Sequence, residues 1–248
     1  MNKKQQKCLD YSNAPKTLDD HIFFGLVLDE EQKAYRDAIW SEDHPIVFCD
    51  AKAGSGKTQI AVMTAKMLYD YHRYDGIVYI SAPVQEEKLG FLPGTVQEKL
   101  AVYNEPFYQA ALKANINVQQ DIAGDIENDK NGTAYIQCIS HNYLRGCNFE
   151  KKIVIIDEAQ NFYMDELKKV LTRMHDNCKV IVIGHTGQID LYHHPENSGF
   201  APYIKHFANV KWAAICKLTK NYRGIISNHA DTLLFNRYNT QEDSNGRI

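Results

Sequence analysis

The sequence predicts an α/β fold in which a mainly parallel sheet is covered by helices on both faces. Short runs of β-branched and aromatic residues alternate along the 248-residue chain with segments of helical periodicity, the order that crossover connections in a parallel sheet require. Several runs are apolar at consecutive positions, as strands buried on both faces must be. Six strands are predicted, at residues 46–50, 76–81, 134–139, 152–157, 180–184 and 213–218.

The intervening segments predict five helices and one domain. The helices are expected at residues 29–40, 57–74, 95–114, 165–175 and 225–237. Residues 118–132 are polar and acidic, which predicts a surface excursion or a hairpin before the third strand. We expect an N-terminal extension at 1–27, a single α/β domain at 28–238 and a flexible tail at 239–248.

Composition narrows the classes of function. Lys and Arg total 28 against 31 Asp and Glu, a net charge of −3, which excludes a generally basic protein that coats nucleic acid. Any nucleic-acid site must therefore be a local basic patch. No run approaches the roughly 18 to 20 apolar residues of a membrane helix, and the N-terminus lacks the apolar core of a signal peptide. We expect a cytoplasmic protein without a membrane partner.

A glycine-rich turn between the first strand and the second helix predicts a phosphate site. Glycines let backbone N–H groups point inward around phosphates, and the helix N-terminus adds partial positive charge. In such a P-loop the lysine reaches the β- and γ-phosphates of ATP, and the following hydroxyl holds Mg²⁺. The turn consists of Ala53, Gly54, Ser55, Gly56, Lys57 and Thr58. The usual pattern starts with glycine at the position of Ala51, so one residue of the pattern does not match.

Two acids end the fourth predicted strand. Asp157 falls at the carboxyl end of an apolar run, where ligands bind in open α/β sheets, and it is the predicted anchor for Mg²⁺ beside Thr58. Glu158 is placed to accept a proton from an attacking water. The pair favours hydrolysis over phosphoryl transfer to a metabolite.

The next strand leads into a polar loop that contains a candidate γ-phosphate sensor. Gln188 has both a donor and an acceptor for this purpose. His185 is a second candidate, although a loop histidine is more often simply solvated.

Taken together, these motifs resemble the PhoH-like family of P-loop ATPases, which are built like one core domain of superfamily 1 helicases. The resemblance runs from Leu28 to Arg223. It rests on AGSGKT and, further along, on KLGFLPGTVQEKL at 88–100, YLRG at 143–146, IVIIDEAQN at 153–161, LTRM at 171–174 and GQIDL at 187–191. It implies a three-layer, RecA-like P-loop NTPase fold, with Gln32 as the residue that reads adenine.

The chain departs from this family at three places. The family usually reads GPAGTGKT at 51–58, has an acid at the position of His185, and has an acid-bearing sequence where residues 220–223 read KNYR. Similar ATPases present an arginine finger at the position of Arg223. We expect this arginine to be too distant from its own P-loop in a monomer. The chain has length for one core domain only, so the resemblance implies a homo-oligomer, a hexameric ring, in which Arg223 or Arg173 acts in trans.

The leading hypothesis is an ATPase, dependent on Mg²⁺, that binds, unwinds or remodels single-stranded nucleic acid, RNA in preference to DNA. Lys88, Phe91 and Lys99 would contact the strand, although Phe91 and Leu92 fit a packing role equally well. Arg145 and Arg173 fit structural ion pairs equally well. The alternative is a catalytically weak nucleotide-binding switch or scaffold that acts through protein partners. A small-molecule kinase is disfavoured by Glu158, and a PIN-type nuclease would need more than the 27 residues before the ATPase pattern.

Overall fold

Seven parallel strands form one sheet in the computed structural model, which describes residues 14–18, 23–82, 96–123, 134–141, 144, 146–189 and 195–230. The spatial order is β3-β4-β2-β5-β6-β1-β7, and every pairing is parallel. The strands are β1 Ile46–Ala51, β2 Ile77–Ser81, β3 Ile122–Ala123, β4 Ile136–Ser140, β5 Ile153–Asp157, β6 Lys179–Gly184 and β7 Ala213–Leu218.

Helices pack on both faces of this sheet, so the predicted three-layer α/β fold is confirmed. They are α1 Glu30–Trp40, α2 Lys57–Asp70, α3 Val96–Lys113, α4 Val118–Asp121, α5 Met164–Leu171, α6 Phe200–Phe207 and α7 Ile225–Ala230. One core cluster joins α1, α2 and α3 to the sheet, and the other joins α5 and α6 to the opposite face. Alternate residues of β1 pack into the two cores: Val47 and Cys49 lie in the first, and Phe48 lies in the second.

The carboxyl ends of the parallel strands meet at one edge of the sheet. At that edge β6 separates β1 from β5, and β7 flanks β1 on its other side. The loops after these four strands are therefore neighbours, which is how the fold brings distant sequence motifs together.

The structure differs from the sequence predictions in three elements. Helix α6 was not predicted, and neither was α4 or the two-residue strand β3. Because β3 pairs in parallel with β4, with Ile122 opposite Ile136, the prediction of a hairpin is wrong for this part of 118–132; residues 124–133 lie outside the described ranges.

Two predicted helices end early for local reasons. Helix α2 ends at Asp70 rather than residue 74, since His72 adopts a left-handed backbone conformation with φ +53°. Helix α5 ends at Leu171 rather than residue 175, because Arg173 and His175 form backbone hydrogen bonds with Phe149 instead.

Other predictions fall partly outside the described residues. These are the tail at 239–248, residues 1–13 and 19–22 of the N-terminal extension, and the part of the last predicted helix beyond residue 230. Within the part of the chain that is described, no helix is both long and apolar enough to cross a membrane.

Candidate active site

The P-loop connects β1 to α2 and has the backbone conformation of a phosphate-binding turn. Gly54 and Gly56 have left-handed φ values of +73° and +82°, which glycine adopts at no steric cost. Helix α2 starts at Lys57, directly after Gly56. Its first N–H groups have no partner within the helix and can bind an anion. Ala51, where the pattern usually has glycine, is the last residue of β1 and is not among the residues with positive φ.

Asp157 lies fully buried at the end of β5 and contacts the P-loop helix. Its carboxylate accepts hydrogen bonds from the Thr58 hydroxyl at 2.8 Å and the Tyr79 hydroxyl at 3.0 Å. The backbone N–H of Glu158 donates a third, at 2.9 Å. Burial and the nearby charge of Glu158 raise the pKa of Asp157 above its ordinary value, although Lys57 and the hydrogen bonds oppose this.

Glu158 faces the P-loop lysine from the adjacent position. Its Oε1 lies 3.8 Å from Lys57 Nζ, and its other carboxylate oxygen accepts a 2.6 Å hydrogen bond from Gln160. The backbone of Glu158 is left-handed, with φ +50°. Such a conformation is uncommon for a non-glycine residue and costs about 1–3 kcal/mol, a cost found most often at functional sites. The strained backbone directs this carboxylate, 42% exposed, toward the phosphate site.

The loop after β6 brings the sensor candidates to the same edge. The His185 N–H donates to Gln160 Oε1 at 3.0 Å, and the Gln188 N–H donates to the His185 carbonyl at 3.2 Å, which closes a turn. The Gln188 side chain is exposed at this edge. Gln160 therefore connects Glu158 to the loop that carries Gln188.

Gln32 lies at the start of α1 and reaches the P-loop. Its side-chain N–H donates to the Ser55 carbonyl at 2.9 Å, and its side-chain oxygen accepts from the Asp29 N–H. Each end of an amide can form one more hydrogen bond, so adenine recognition by Gln32 stays a prediction.

Arg223 lies beside the P-loop of its own chain. A Cβ atom at Gly54 would lie only 2.7 Å from Arg223 Cγ and 2.4 Å from Asn221 Oδ1, and the Tyr222 N–H donates to the Gly54 carbonyl. The expectation that Arg223 is too distant from its own P-loop is therefore wrong. The physical reason is that β7 pairs with β1, so the residues after β7 meet the loop after β1.

Among the remaining predicted residues, Arg173 lies away from this edge. Arg173 follows α5 and pairs with the segment before β5, at the amino edge of the sheet, where its guanidinium donates to the Cys147 carbonyl. Lys99 lies on α3. Lys88, Phe91, Leu92 and Arg145 lie outside the described residues.

Four site residues were missed by the sequence analysis: Asp50, Tyr79, Gln160 and Asn221. Tyr79 lies in an apolar strand, and only the pairing of β2 with β5 shows that its hydroxyl reaches Asp157. Gln160 was part of a quoted motif, so its position two residues after Glu158 was an available signal. Asn221 lies in the segment KNYR that was compared with the family, whereas Asp50 carries no sequence signal apart from being a polar residue near the end of a strand.

The residues around Thr58 fit a magnesium ion by their chemistry. A hydroxyl and a carboxylate are the hard oxygen ligands that Mg²⁺ takes, and this ion keeps several waters rather than needing a protein cage. The two side chains already touch. In the described ranges no cluster of three or more His, Cys, Asp or Glu residues has the geometry of a metal site.

Comparison with known proteins identifies the family. Residues 27–229 match the family described as PhoH-like protein. The chain belongs to the PhoH family. Among similar curated proteins are Protein PhoH2 of Bacillus subtilis, 30% identical over 87% of this chain, and Protein PhoH of Escherichia coli, 32% identical over 79%. The PhoH-like protein of Synechocystis is 33% identical over 76%.

Membership of the PhoH family makes the chain a P-loop ATPase-like protein and supports nucleotide binding at the P-loop. The resemblance to this family that the motifs indicated is thereby confirmed. The chain spans about half the length of the curated relatives it matches: 49% of the B. subtilis protein, 53% of the E. coli protein and 55% of the Synechocystis protein.

Proposed function

We propose that this PhoH family chain hydrolyses ATP with Mg²⁺. The observation that carries the proposal is the junction of the P-loop with the end of β5, where Thr58 bonds to Asp157 and Lys57 faces Glu158. A P-loop alone binds phosphate. A second carboxylate next to the metal anchor can take the proton of an attacking water.

Each side chain has a role that follows from its position. The N–H groups of the P-loop and Lys57 would bind the β- and γ-phosphates. Thr58 and Asp157 would hold Mg²⁺, which when bound neutralises charge on the phosphate oxygens. Glu158 would take the proton of the attacking water, and Gln188 would orient the γ-phosphate or that water. Arg223 would stabilise charge on the γ-phosphate from within the same chain.

The environments of Asp157 and Glu158 are consistent with a metal-binding role for the first and a proton-accepting role for the second. Asp157 is buried and hydrogen-bonded, whereas Glu158 is partly exposed and reaches Lys57. In the free protein, burial favours the neutral form of Asp157. A bound cation would favour its carboxylate.

The decisive experiment compares ATP turnover of three variants. Lys57→Ala removes the phosphate-binding ammonium and should abolish turnover. Glu158→Gln should bind ATP but lower kcat about a hundredfold or more, the usual contribution of a general base. Lys66→Ala is the matched control, since Lys66 lies on the same helix but pairs with Asp70, and it should turn over like the wild type. Unchanged turnover in Lys57→Ala would refute the assignment of the site.

The second candidate, a nucleotide-binding switch or scaffold, is supported by His185 at the sensor loop. It predicts that the wild type binds ATP without multiple turnovers. Hydrolysis that depends on Lys57 and lies well above background would contradict this second candidate function.

We further propose that turnover is coupled to single-stranded nucleic acid, RNA in preference to DNA. From Phe200 to Ala230 the chain has four Lys, one Arg and no acidic residue, within a protein of net charge −3. Trp212, 52% exposed, lies in this segment and can stack on a base. Charge and stacking together are the usual features of a sequence-independent site.

Stimulation of ATP turnover by single-stranded RNA and DNA tests the coupling. The variant Lys205→Ala/Lys211→Ala should weaken stimulation and its salt dependence. The control Lys168→Ala/Lys169→Ala removes the same charge from α5 and should not. No stimulation by either nucleic acid would contradict the coupling but not the ATPase.

For assembly we propose a homo-oligomer, with six subunits by resemblance to the family. Ile225 and Ile226, 87% and 83% exposed, are adjacent on α7 just after Arg223, and contiguous exposed apolar surface marks interaction sites. A mass measurement that finds only monomer with ATP and Mg²⁺ present would contradict it.

A further inference from the structure

The turn after β6 is attached by a side chain to the strand that leads into the P-loop. Asp50 accepts two hydrogen bonds from Thr186: one from its backbone N–H at 3.0 Å and one from its hydroxyl at 2.9 Å. On the other side of the same turn, Gln160 accepts from the His185 N–H. Two successive N–H groups are thus held by side chains of two different elements.

The position of Asp50 explains why this attachment matters. Asp50 lies in β1 with Gly184, the last residue of β6, as its Cα partner, and the P-loop starts three residues after it. The backbone hydrogen bond from Gln188 to His185 closes the turn, so the location of Gln188 depends on how residues 185 and 186 are held. Asp50 therefore fixes the sensor candidate relative to the phosphate loop.

We propose that Asp50 is a positioning residue for ATP turnover. It holds the turn that carries Gln188 against the P-loop strand, and so aligns Gln188 with the γ-phosphate. The inference rests on the proposed function, because it concerns the rate of the same reaction. It also separates nucleotide affinity from the rate of hydrolysis. The N–H groups of the P-loop bind the nucleotide whether or not the turn is held, whereas hydrolysis needs the turn in place.

The hydrogen bonds between Asp50 and Thr186 are exposed to water. Water can therefore replace them in a variant, and the turn would sample other positions rather than unfold. A misplacement of about 1 Å at a catalytic group can cost up to about a hundredfold in rate. Since the turn retains its contact with Gln160, we expect a smaller effect, about tenfold in kcat, for loss of Asp50.

The test measures kcat, KM and the dissociation constant of a fluorescent ATP analogue. Asp50→Ala should lower kcat about tenfold and leave the dissociation constant within about twofold of the wild type. Asp50→Asn should recover most of the lost rate, because its amide oxygen can accept from the Thr186 N–H and its amide nitrogen can donate to the hydroxyl. Asp165→Ala removes an exposed acid that pairs with Lys169 on α5 and should behave as wild type.

Two further measurements separate positioning from a general structural effect. Thr186→Val removes only the hydroxyl bond and should lower kcat less than Asp50→Ala does, and the double variant Asp50→Ala/Thr186→Val should be no slower than Asp50→Ala alone, since both remove one interaction. Amide hydrogen exchange at Thr186 should be faster in Asp50→Ala without nucleotide, while exchange in β1 and β6 stays unchanged.

The outcomes distinguish this inference from the proposed function. If the wild-type protein shows no ATP turnover, or only turnover that Lys57→Ala leaves unchanged, both the proposed function and this inference are refuted. A wild type with normal turnover, together with an Asp50→Ala variant of equal kcat, would overturn the positioning role alone. The role would also be overturned if Asp50→Asn were as slow as Asp50→Ala, because the negative charge and not the hydrogen bonds would then matter.

Discussion

Two buried ionisable side chains lie at opposite edges of the sheet, on neighbouring strands. Asp157 ends β5 at the carboxyl edge, and Lys179 begins β6 at the amino edge; 1% and 0% of their surfaces are exposed. Burial raises the pKa of Asp157 and lowers the pKa of Lys179 to about 8. In both cases burial disfavours the charged form.

The two groups differ in their partners. Two of the three groups that donate to Asp157 are side-chain hydroxyls, those of Thr58 and Tyr79, which can rotate to other acceptors. The ammonium of Lys179 donates to two backbone carbonyls, those of Ser41 at 2.5 Å and His44 at 2.6 Å. These carbonyls belong to the connection between α1 and β1 and cannot rotate away.

This difference separates a reactive buried charge from a structural one. Asp157 has two hydroxyl donors that can rearrange around a ligand and one fixed donor, the Glu158 backbone N–H, and its burial as a charged group costs stability. Lys179 completes hydrogen bonds that the backbone needs at the end of α1. The comparison predicts opposite consequences when each charge is removed.

The largest expected effect is on turnover. Asp157→Asn should lower kcat about a hundredfold or more, because the metal anchor is lost. The same variant should be more stable: the pKa of Asp157 is higher in the folded than in the unfolded chain, so at neutral pH its charge opposes folding. We expect a gain of about 1 kcal/mol, typical where a functional group is neutralised, measured by urea unfolding. A variant that is both inactive and less stable would contradict the comparison.

The second effect is on stability alone. Lys179→Met keeps the apolar stem but leaves the Ser41 and His44 carbonyls without their donor. An unsatisfied buried acceptor costs about 1–3 kcal/mol, so we expect a loss of about 2 kcal/mol, or about 4–8 °C in Tm for a domain of this size. Turnover measured well below Tm should match the wild type. A large fall in kcat with intact stability would show that the amino edge takes part in the reaction.

The smallest effect is a pH dependence of stability. Between about pH 8 and the ordinary lysine value of 10.5, the unfolded chain keeps a proton on residue 179 that the folded chain has released. A rise in pH through this range therefore favours the folded state. Urea unfolding of wild type and Lys179→Met at pH 8 and pH 10 should show the wild type gaining stability relative to the variant. An equal change in both proteins would mean that Lys179 keeps an ordinary pKa.

The sequence pointed to Asp157 as a site residue but did not point to Lys179. Asp157 was identified because a carboxylate after an apolar strand has a known use beside a P-loop. Lys179 was missed, because a lysine at the first position of a strand is usually solvated, and its partners are carbonyls more than 130 residues away in the chain. Pattern reasoning finds side chains with a shared chemistry, but it does not show which backbone groups remain unsatisfied.

The same limit explains the missed elements. Helix α6 has Pro202 in its first turn, where proline is tolerated because its missing N–H needs no partner. The sequence FAPYIKHF nevertheless has too few residues for a clear periodicity. The placement of Arg223 depended on the strand order, since only the pairing of β7 with β1 brings the end of β7 to the P-loop.

Gly54 has an evolutionary consequence beyond its role in the phosphate loop. Two independent requirements fix this residue: its left-handed backbone, and the approach of Asn221 and Arg223, which leaves no room for a Cβ atom. Position 54 should therefore remain glycine in related proteins that keep Asn221 and Arg223. A larger side chain at 54 would be selected against by residues that belong to no P-loop pattern.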